Sequence, residues 1–136
     1  FRYFNVYGPG EDNKGDQASP YTKFIKQAKE TGAIKLFENS DQYKRDFVCV
    51  EDLCQLHEKM FSTNAKGIFN AGTGTATSFE TVGRTIAKKY NANIEYISIP
   101  EELKSQYQKY TCANLNKLNS VIDHSWISIE DYINGK

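Results

Sequence analysis

The sequence predicts an α/β fold that contains at least part of a parallel sheet. Short runs rich in β-branched and aromatic residues alternate with segments in which apolar residues recur at helical spacing. Glycine and proline turns separate these runs, and the length of 136 residues suits one domain with its own core. No internal repeat, low-complexity segment or linker interrupts the pattern. We therefore treat residues 1–136 as one unit.

The first half of the chain alternates between predicted strands and helices. Residues 1–7 form a strand candidate that ends at a Gly-Pro-Gly breaker, and residues 34–37 and 47–50 form two more. The apolar spacing within residues 53–61 predicts an amphipathic helix. An earlier helix, which stops near Gly32, is predicted by apolar residues at positions i, i+3, i+4 and i+7: Tyr21, Phe24, Ile25 and Ala28.

The second half continues the alternation. Residues 67–71 predict a compact strand, which a glycine turn at residues 72–74 follows. Thr77 and Glu80 have the spacing of a capping box, and residues 94–99 alternate as a strand does. The other predicted helical positions are the buried face of a third helix (Phe79, Val82 and Ile86) and the first turn of a closing helix (residues 128–131).

Composition limits the partners and the compartment. The 17 basic and 17 acidic residues give a net charge of zero, so we expect no nucleic-acid partner and no membrane association. Three cysteines without a repeating spacing indicate no disulfide framework, which favours the cytoplasm. We expect no leader peptide and no membrane span, because no basic-then-apolar stretch opens the sequence and no apolar run approaches about 20 residues. Because the chain starts at Phe1, without Met and within a predicted strand, we expect it to be part of a longer protein.

A polar, glycine-rich loop follows the first predicted strand and carries Lys14. Open α/β sheets bind their ligands beyond the carboxyl ends of the strands, so Lys14 suits an acid/base group or a cation for phosphate. The alternative is a solvated surface lysine. Spacing alone does not decide between the two.

The tripeptide Lys44-Arg45-Asp46 lies directly before an apolar strand candidate. A strand there anchors the backbone of Arg45, while its guanidinium group suits a bidentate contact with a diphosphate. The alternative is an ion pair between Arg45 and Asp46 or Asp52 at the edge of a strand. Both interpretations stay open at the level of sequence.

The glycine turn at residues 72–74 lies between a strand candidate and a helix start, as the phosphate cradle of many nucleotide-binding proteins does. It lacks the dinucleotide-binding glycine pattern and the lysine of a Walker loop. A tight connection that needs glycine for its backbone is therefore the favoured interpretation.

A possible metal motif, C-x4-C-x2-H, is formed by Cys49, Cys54 and His57. No fourth ligand accompanies it at a recognisable spacing. We therefore expect no metal, and instead two buried thiols and a histidine packed beside leucines.

Three blocks in order, RYFNVYGP, KRDFVCVEDL and GIFNAGTG, resemble the C-terminal part of the extended short-chain dehydrogenase/reductase family of nucleotide-sugar epimerases and dehydratases. The stretches EDNKGDQAS, KLFENSDQYKRDF and IEYISIPEELKSQYQKYT are most similar to its ADP-glycero-manno-heptose 6-epimerases. The resemblance implies the C-terminal portion of an extended Rossmann-type epimerase. That portion holds the last sheet strands and a small α/β substrate-binding lobe, while the N-terminal cofactor-binding part lies upstream of Phe1.

The resemblance also implies roles for particular residues. Lys14 matches a catalytic lysine that also lies at the cofactor, and Val6 matches a residue at the nicotinamide end of an NADP site. Asp16 and Lys23 stand where the family pattern has serine and histidine, and Asn39 replaces a glycine. The implied contacts with the nucleotide sugar are Asn5, Asp16, Lys23, Phe37, Glu38, Asn39, Ser40, Arg45 and Tyr107, with Arg45 at the diphosphate.

The implied reaction is the epimerisation of ADP-glycero-manno-heptose at C6, by transient oxidation and reduction with NADP. We expect a homo-oligomer at full length, and no turnover from the isolated chain. One alternative is another member of the family, such as a UDP-sugar 4-epimerase or a sugar-nucleotide dehydratase. A second alternative is a binding or assembly module without catalytic activity.

Overall fold

Parallel strand pairs form the frame of the chain in this computed structural model, which describes residues 1–105 and 107–135. Four two-stranded ladders occur in that part of the chain, and three of them are parallel. The parallel pairs are β1 (Arg2–Tyr3) with β6 (Asn70–Ala71), β2 (Asn5–Tyr7) with β5 (Phe47–Cys49), and β3 (Ala33–Phe37) with β8 (Asn93–Ile97). The antiparallel pair is β4 (Lys44–Arg45) with β7 (Thr77–Ser78).

Helices connect these strands. The three long ones are α1 (Pro20–Thr31), α2 (Val50–Phe61) and α3 (Phe79–Tyr90). The short ones are α4 (Glu101–Lys104), α5 (Asn116–Asn119) and α6 (Ile129–Gly135), together with 3-10 helices at Gly15–Gln17 and Ser40–Gln42. None of the helices described is both long and apolar enough to cross a membrane.

Capping side chains explain where the long helices begin and end. The Ser19 hydroxyl accepts a hydrogen bond from the Thr22 N–H at the start of α1, and Pro20 occupies the first helical position. Gly32 ends α1 in the left-handed conformation, at φ 71°, as the sequence predicts. The Ser78 hydroxyl caps α3 in the same way, by accepting from the Thr81 N–H.

The predicted capping box at α3 is therefore wrong, because the N-cap lies one residue later than predicted. Thr77 belongs to β7, and Ser78 is the N-cap. The carboxylate of Glu80 does not reach back to the cap. It accepts hydrogen bonds from Arg84 one turn later and from the Tyr96 hydroxyl on β8, because both donors lie within its reach on the surface.

Several predicted strands are shorter in the structure. The first is interrupted at Phe4 and separates into β1 and β2, which pair with different partners. Of the predicted strand at residues 67–71, only β6 forms a ladder. Residues 98 and 99 lie beyond the end of β8, because its partner β3 also ends at the paired position.

Two apolar clusters hold the elements together. The larger lies among α1, α3, α6 and strands β3 and β5, and the smaller lies between α2 and the segment around α5. Close packing of α3 on β3 requires a glycine at position 83, because a Cβ there would lie 2.8 Å from Leu36 Cδ2. Both α1 and α3 pack against β3 and against each other.

Candidate functional site

A cleft of about 310 Å³ opens between residues of β3 and residues of α1. Its walls are mostly aromatic and aliphatic, with a few polar side chains among them. We call it the aromatic cleft. It is lined by Pro20, Lys23, Phe24, Gln27, Lys35, Leu36, Phe37, Ser40, Tyr43, Phe79, Ile97 and Tyr107. Its size and lining are those of a small-molecule site.

Aromatic rings give the cleft its shape. The Tyr107 ring lies edge-on to Phe37, with centroids 5.9 Å apart, and edge-on to Tyr43 at 5.5 Å. Edge-to-face pairs of this kind are favourable and fix the ring planes. Tyr107 follows the short helix α4, which ends at Lys104, so the C-terminal half of the chain closes one side of the cleft.

The turn after β3 presents Ser40 to the cleft. Asn39 adopts the left-handed conformation at φ 67° and starts the 3-10 helix that contains Ser40. Ser40 is only 3% exposed, and none of the residues described forms a hydrogen bond with its hydroxyl. Burial of an unpaired hydroxyl is unfavourable, so a hydrogen bond from any ligand that reached Ser40 would be favourable.

Arg45 lies next to the cleft and has no acidic partner among the residues described. Its guanidinium group lies 5.2 Å from the centre of the Phe79 ring, and it donates a 2.9 Å hydrogen bond to the Lys44 carbonyl. Burial lowers the pKa of Arg45, and the nearby Tyr107 acts in the opposite direction. The side chain stays cationic, because an arginine retains its proton in proteins. The ion pair with Asp46 or Asp52 that the sequence left open is therefore not formed.

Asp46 is fully buried and satisfied by the protein itself. Its Oδ1 accepts from the Thr73 N–H and hydroxyl, both at 2.7 Å, and its Oδ2 accepts from the N–H groups of Gly74 at 2.9 Å and Ala113 at 3.0 Å. We call this arrangement the Asp46 junction. It ties the strand before β5 to the glycine turn and to the segment at Ala113.

The Asp46 junction also explains the glycine turn at residues 72–74. A Cβ at Gly72 would lie 2.8 Å from Asp46 Oδ2 and 2.9 Å from the Ala113 Cβ, so glycine is required for close approach. Gly74 adopts φ 78°, which also favours glycine. The favoured interpretation from sequence, a tight connection, agrees with this geometry.

The phosphate cradle that the sequence left as the less favoured interpretation of this turn can be compared with its geometry. A dinucleotide phosphate needs unpaired backbone N–H groups, but those of Thr73 and Gly74 already donate to Asp46. The glycine turn of this chain therefore does not fit that group. The cofactor contacts expected from the resemblance are elsewhere: Val6, in β2, and Lys14, in the loop after it.

Lys14 lies in that loop, outside the lining of the aromatic cleft. Its ammonium nitrogen is 3.7 Å from the carboxylate of Glu11, which is 5% exposed. Glu11 accepts hydrogen bonds from the backbone N–H groups of Gly8 and Ser19 and from the hydroxyls of Ser19 and Thr22. Burial alone raises the Glu11 pKa, but the hydrogen bonds from Thr22, Ser19 and Gly8 outweigh it and lower the pKa.

One contact joins this loop to the cleft. Lys23 lines the aromatic cleft, and its ammonium group donates a 2.6 Å hydrogen bond to the Asp16 carbonyl. The two positions that depart from the family pattern are thus in contact with each other. The loop that carries Lys14 is thereby held at the rim of the cleft.

The structure brings some of the predicted site residues together. Lys23, Phe37, Ser40 and Tyr107 line the cleft, and Arg45 lies beside them. Glu38 and Asn39 connect two lining residues and are exposed to solvent. Outside the lining lie the residues of β2 and its following loop: Asn5, Val6, Lys14 and Asp16.

Several residues that line the cleft were not predicted from the sequence to be site residues. Phe24 and Phe79 were assigned to the core, although each also faces the cleft. Gln27 follows Lys23 by four positions, so helical spacing puts both on one face of α1. The sequence therefore contained a signal for Gln27. Nothing in the sequence singles out Tyr43 or Glu11.

The cysteines and His57 do not form a metal site. Within the described part of the chain, no group of three His, Cys, Asp or Glu side chains is placed to hold a metal ion. Cys49 is buried, and burial raises the pKa of its thiol to about 11. Cys54 is exposed, which corrects the expectation of a buried thiol, because it lies on the solvent face of α2. His57 bonds to the Tyr3 hydroxyl at 2.8 Å and packs edge-on against Phe1.

Comparison with known proteins agrees with this architecture. An ADP-L-glycero-D-manno-heptose-6-epimerase of Brachyspira hyodysenteriae is 43% identical over 121 residues, which are 88% of this chain and 38% of that protein. The crystal structure of the Helicobacter pylori ADP-L-glycero-D-manno-heptose-6-epimerase matches 98% of this chain and 41% of its own, with a TM-score of 0.84 and 29% identity.

A more distant match shows the fold alone. It is the UDP-glucose 4-epimerase of Thermotoga maritima, with a TM-score of 0.79 and 22% identity over 97% of this chain and 42% of that one. The chain thus spans 38% to 42% of the length of these three relatives. The predicted α/β class and the likeness to Rossmann-type epimerases are confirmed. The family model for NAD dependent epimerases and dehydratases matches residues 1–72, and this chain belongs to that family.

Proposed function

We propose that the protein containing this chain epimerises ADP-glycero-manno-heptose at C6, by transient oxidation and reduction of that carbon. The named relative at 43% identity supports the substrate class. The observation that carries the proposal is Arg45, a partly buried cation with no acidic partner among the described residues, beside an aromatic cleft. Such a cation is suited to a diphosphate, and such a cleft to one of the groups that the diphosphate joins.

The cleft takes the nucleoside end of the substrate in this proposal. Its walls include the rings of Phe24, Phe37 and Tyr107, which suit a flat heteroaromatic base better than a polyhydroxylated sugar. The sugar then lies on the other side of Arg45, toward the loop with Lys14. The contact between Lys23 and Asp16 supports this order, because it holds that loop at the rim of the cleft.

Lys14 is proposed as the acid/base residue that this chain contributes. Its neighbour Glu11 fixes the ammonium group near the end of β2. The redox chemistry itself belongs to the cofactor. The proposed contacts with the substrate are Asn5, Asp16, Lys23, Phe37, Glu38, Asn39, Ser40, Arg45 and Tyr107, of which four line the cleft.

The cofactor is proposed to be NADP, within a family that depends on NAD. Val6 and Lys14 are the proposed contacts from this chain, and residues 1–136 are proposed to be the substrate-binding region with the last strands of the Rossmann domain. We further propose a homo-oligomer in the cytoplasm for the whole protein. Turnover by the isolated chain would contradict the expectation that it is inactive alone.

The proposal is tested by calorimetric titration of the chain with ADP and with UDP. We expect ADP to bind more tightly, and Arg45→Met to weaken ADP binding by about tenfold or more, because charge-assisted hydrogen bonds to the diphosphate are lost. Arg2→Met is the matched control, because Arg2 is exposed on β1 and its substitution removes the same positive charge. Equal affinity of the Arg45 variant contradicts the proposal. Tighter binding of UDP favours the UDP-sugar alternative.

A further inference from the structure

The side-chain amide of Gln27 has an orientation that the backbone determines. The N–H of Lys35, on β3, donates a 2.9 Å hydrogen bond to Gln27 Oε1. A backbone N–H is only a donor, so the carbonyl end of the amide faces β3. The amide nitrogen therefore carries two N–H groups, and no residue described here accepts a hydrogen bond from either.

This oriented donor lies in a cleft whose walls are mostly aromatic and aliphatic. Gln27 lines the aromatic cleft together with Phe24 and Leu36. The ammonium group of Lys23, one turn earlier on α1, is already bonded to the Asp16 carbonyl. In an apolar site, a small number of fixed polar groups determines which ligand is accepted and in which orientation.

We infer that Gln27 is a specificity-determining residue, whose amide nitrogen donates a hydrogen bond to an acceptor atom on the edge of a nucleotide base in the aromatic cleft. This rests on the proposed function, in which the base occupies the cleft and the diphosphate contacts Arg45. The aromatic walls bind the faces of any base, whereas Gln27 contacts only its edge. The buried Ser40 hydroxyl supplies a second polar group, which can both donate and accept.

The test separates recognition of the base from recognition of the phosphates. ADP and inorganic pyrophosphate are titrated into the unchanged chain and into Gln27→Met and Gln27→Glu. Methionine has a similar length and no donor, while glutamate keeps an acceptor for the Lys35 N–H and lacks the donor. Gln55→Met, on the exposed face of α2, is the matched control. A cooperative thermal transition is recorded for each variant to establish that it is folded.

We expect both Gln27 variants to bind ADP about three- to tenfold more weakly, and Gln27→Met to bind pyrophosphate as the unchanged chain does. Unchanged ADP affinity in Gln27→Met overturns the inference and leaves the proposed function standing. Equal losses of affinity for ADP and for pyrophosphate also overturn the inference, because Gln27 then affects binding without contacting the base. If the unchanged chain does not bind ADP, the proposed function fails, and the inference fails with it.

Discussion

Arg45 and Asp46 are neighbours of opposite charge with opposite surroundings. The carboxylate of Asp46 is fully buried and accepts hydrogen bonds from Thr73, Gly74 and Ala113. The guanidinium group of Arg45 is partly buried, donates to one carbonyl, and otherwise lies over the ring of Phe79. Because successive side chains along an extended backbone point to opposite faces, the two groups face different regions.

The different surroundings of Asp46 and Arg45 imply different roles, one structural and one in binding. A buried charge that the protein fully satisfies stabilises one arrangement of loops and has no capacity left for a ligand. A partly buried charge without a counter-ion keeps that capacity. The Asp46 junction therefore belongs to the scaffold, and Arg45 beside the aromatic cleft is where we propose that an anion binds.

The largest expected effect is on the Asp46 junction. In Asp46→Asn, whichever way the amide turns, its nitrogen faces N–H donors that now lack an acceptor. We expect the free energy of unfolding to fall by about 2–4 kcal/mol, measured by urea denaturation. Asp41→Asn, an exposed change on the neighbouring 3-10 helix, is the control and should change stability by less than about 0.5 kcal/mol. A similar small effect for Asp46→Asn would show that the junction is not structural.

A smaller effect is expected at Glu11, the second satisfied carboxylate. Its pKa is lowered from 4.5 in the folded state, so its contribution to stability is present above pH 4.5 and is lost as the pH falls through the folded value. At pH 7, Glu11→Gln should be less stable by about 1–2 kcal/mol, and the difference should shrink below pH 4.5. Denaturation at several pH values measures this, with the exposed Glu58→Gln on α2 as control. A difference that is independent of pH would contradict the assigned hydrogen bonds.

The smallest effect on stability is expected at Arg45. Its charge has no acidic partner among the residues described, so Arg45→Met removes a desolvated cation and retains contact with Phe79. We expect the free energy of unfolding to change by less than about 0.5 kcal/mol, despite the large loss of ADP affinity. Destabilisation as large as that of Asp46→Asn would instead make Arg45 part of the scaffold.

Much of the fold follows from local patterns in the sequence. The apolar spacing from Tyr21 to Ala28 predicts α1, and Gly32 marks its end, because local backbone preferences determine both. Strand lengths do not follow in the same way. Of the predicted strand at residues 67–71, only β6 forms. A ladder extends only as far as its partner strand, and the partner β1 supplies two residues.

The site is less predictable, since its contacts join distant parts of the chain. Arg45 was identified from its position before a strand. That it has no acidic partner in the described part of the chain depends on Thr73, Gly74 and Ala113, which satisfy Asp46. Glu11 was missed because an acidic residue in a polar loop resembles a solvated one. Its burial results from Ser19 and Thr22 at the start of the next helix.

The most direct test of the central claim is a crystal structure of the chain with ADP. The account predicts diphosphate oxygens about 3 Å from the Arg45 guanidinium nitrogens and the base between the aromatic walls of the cleft. The Asp46 junction should be unchanged. A diphosphate bound at the glycine turn of residues 72–74, or a base outside the aromatic cleft, would contradict the account.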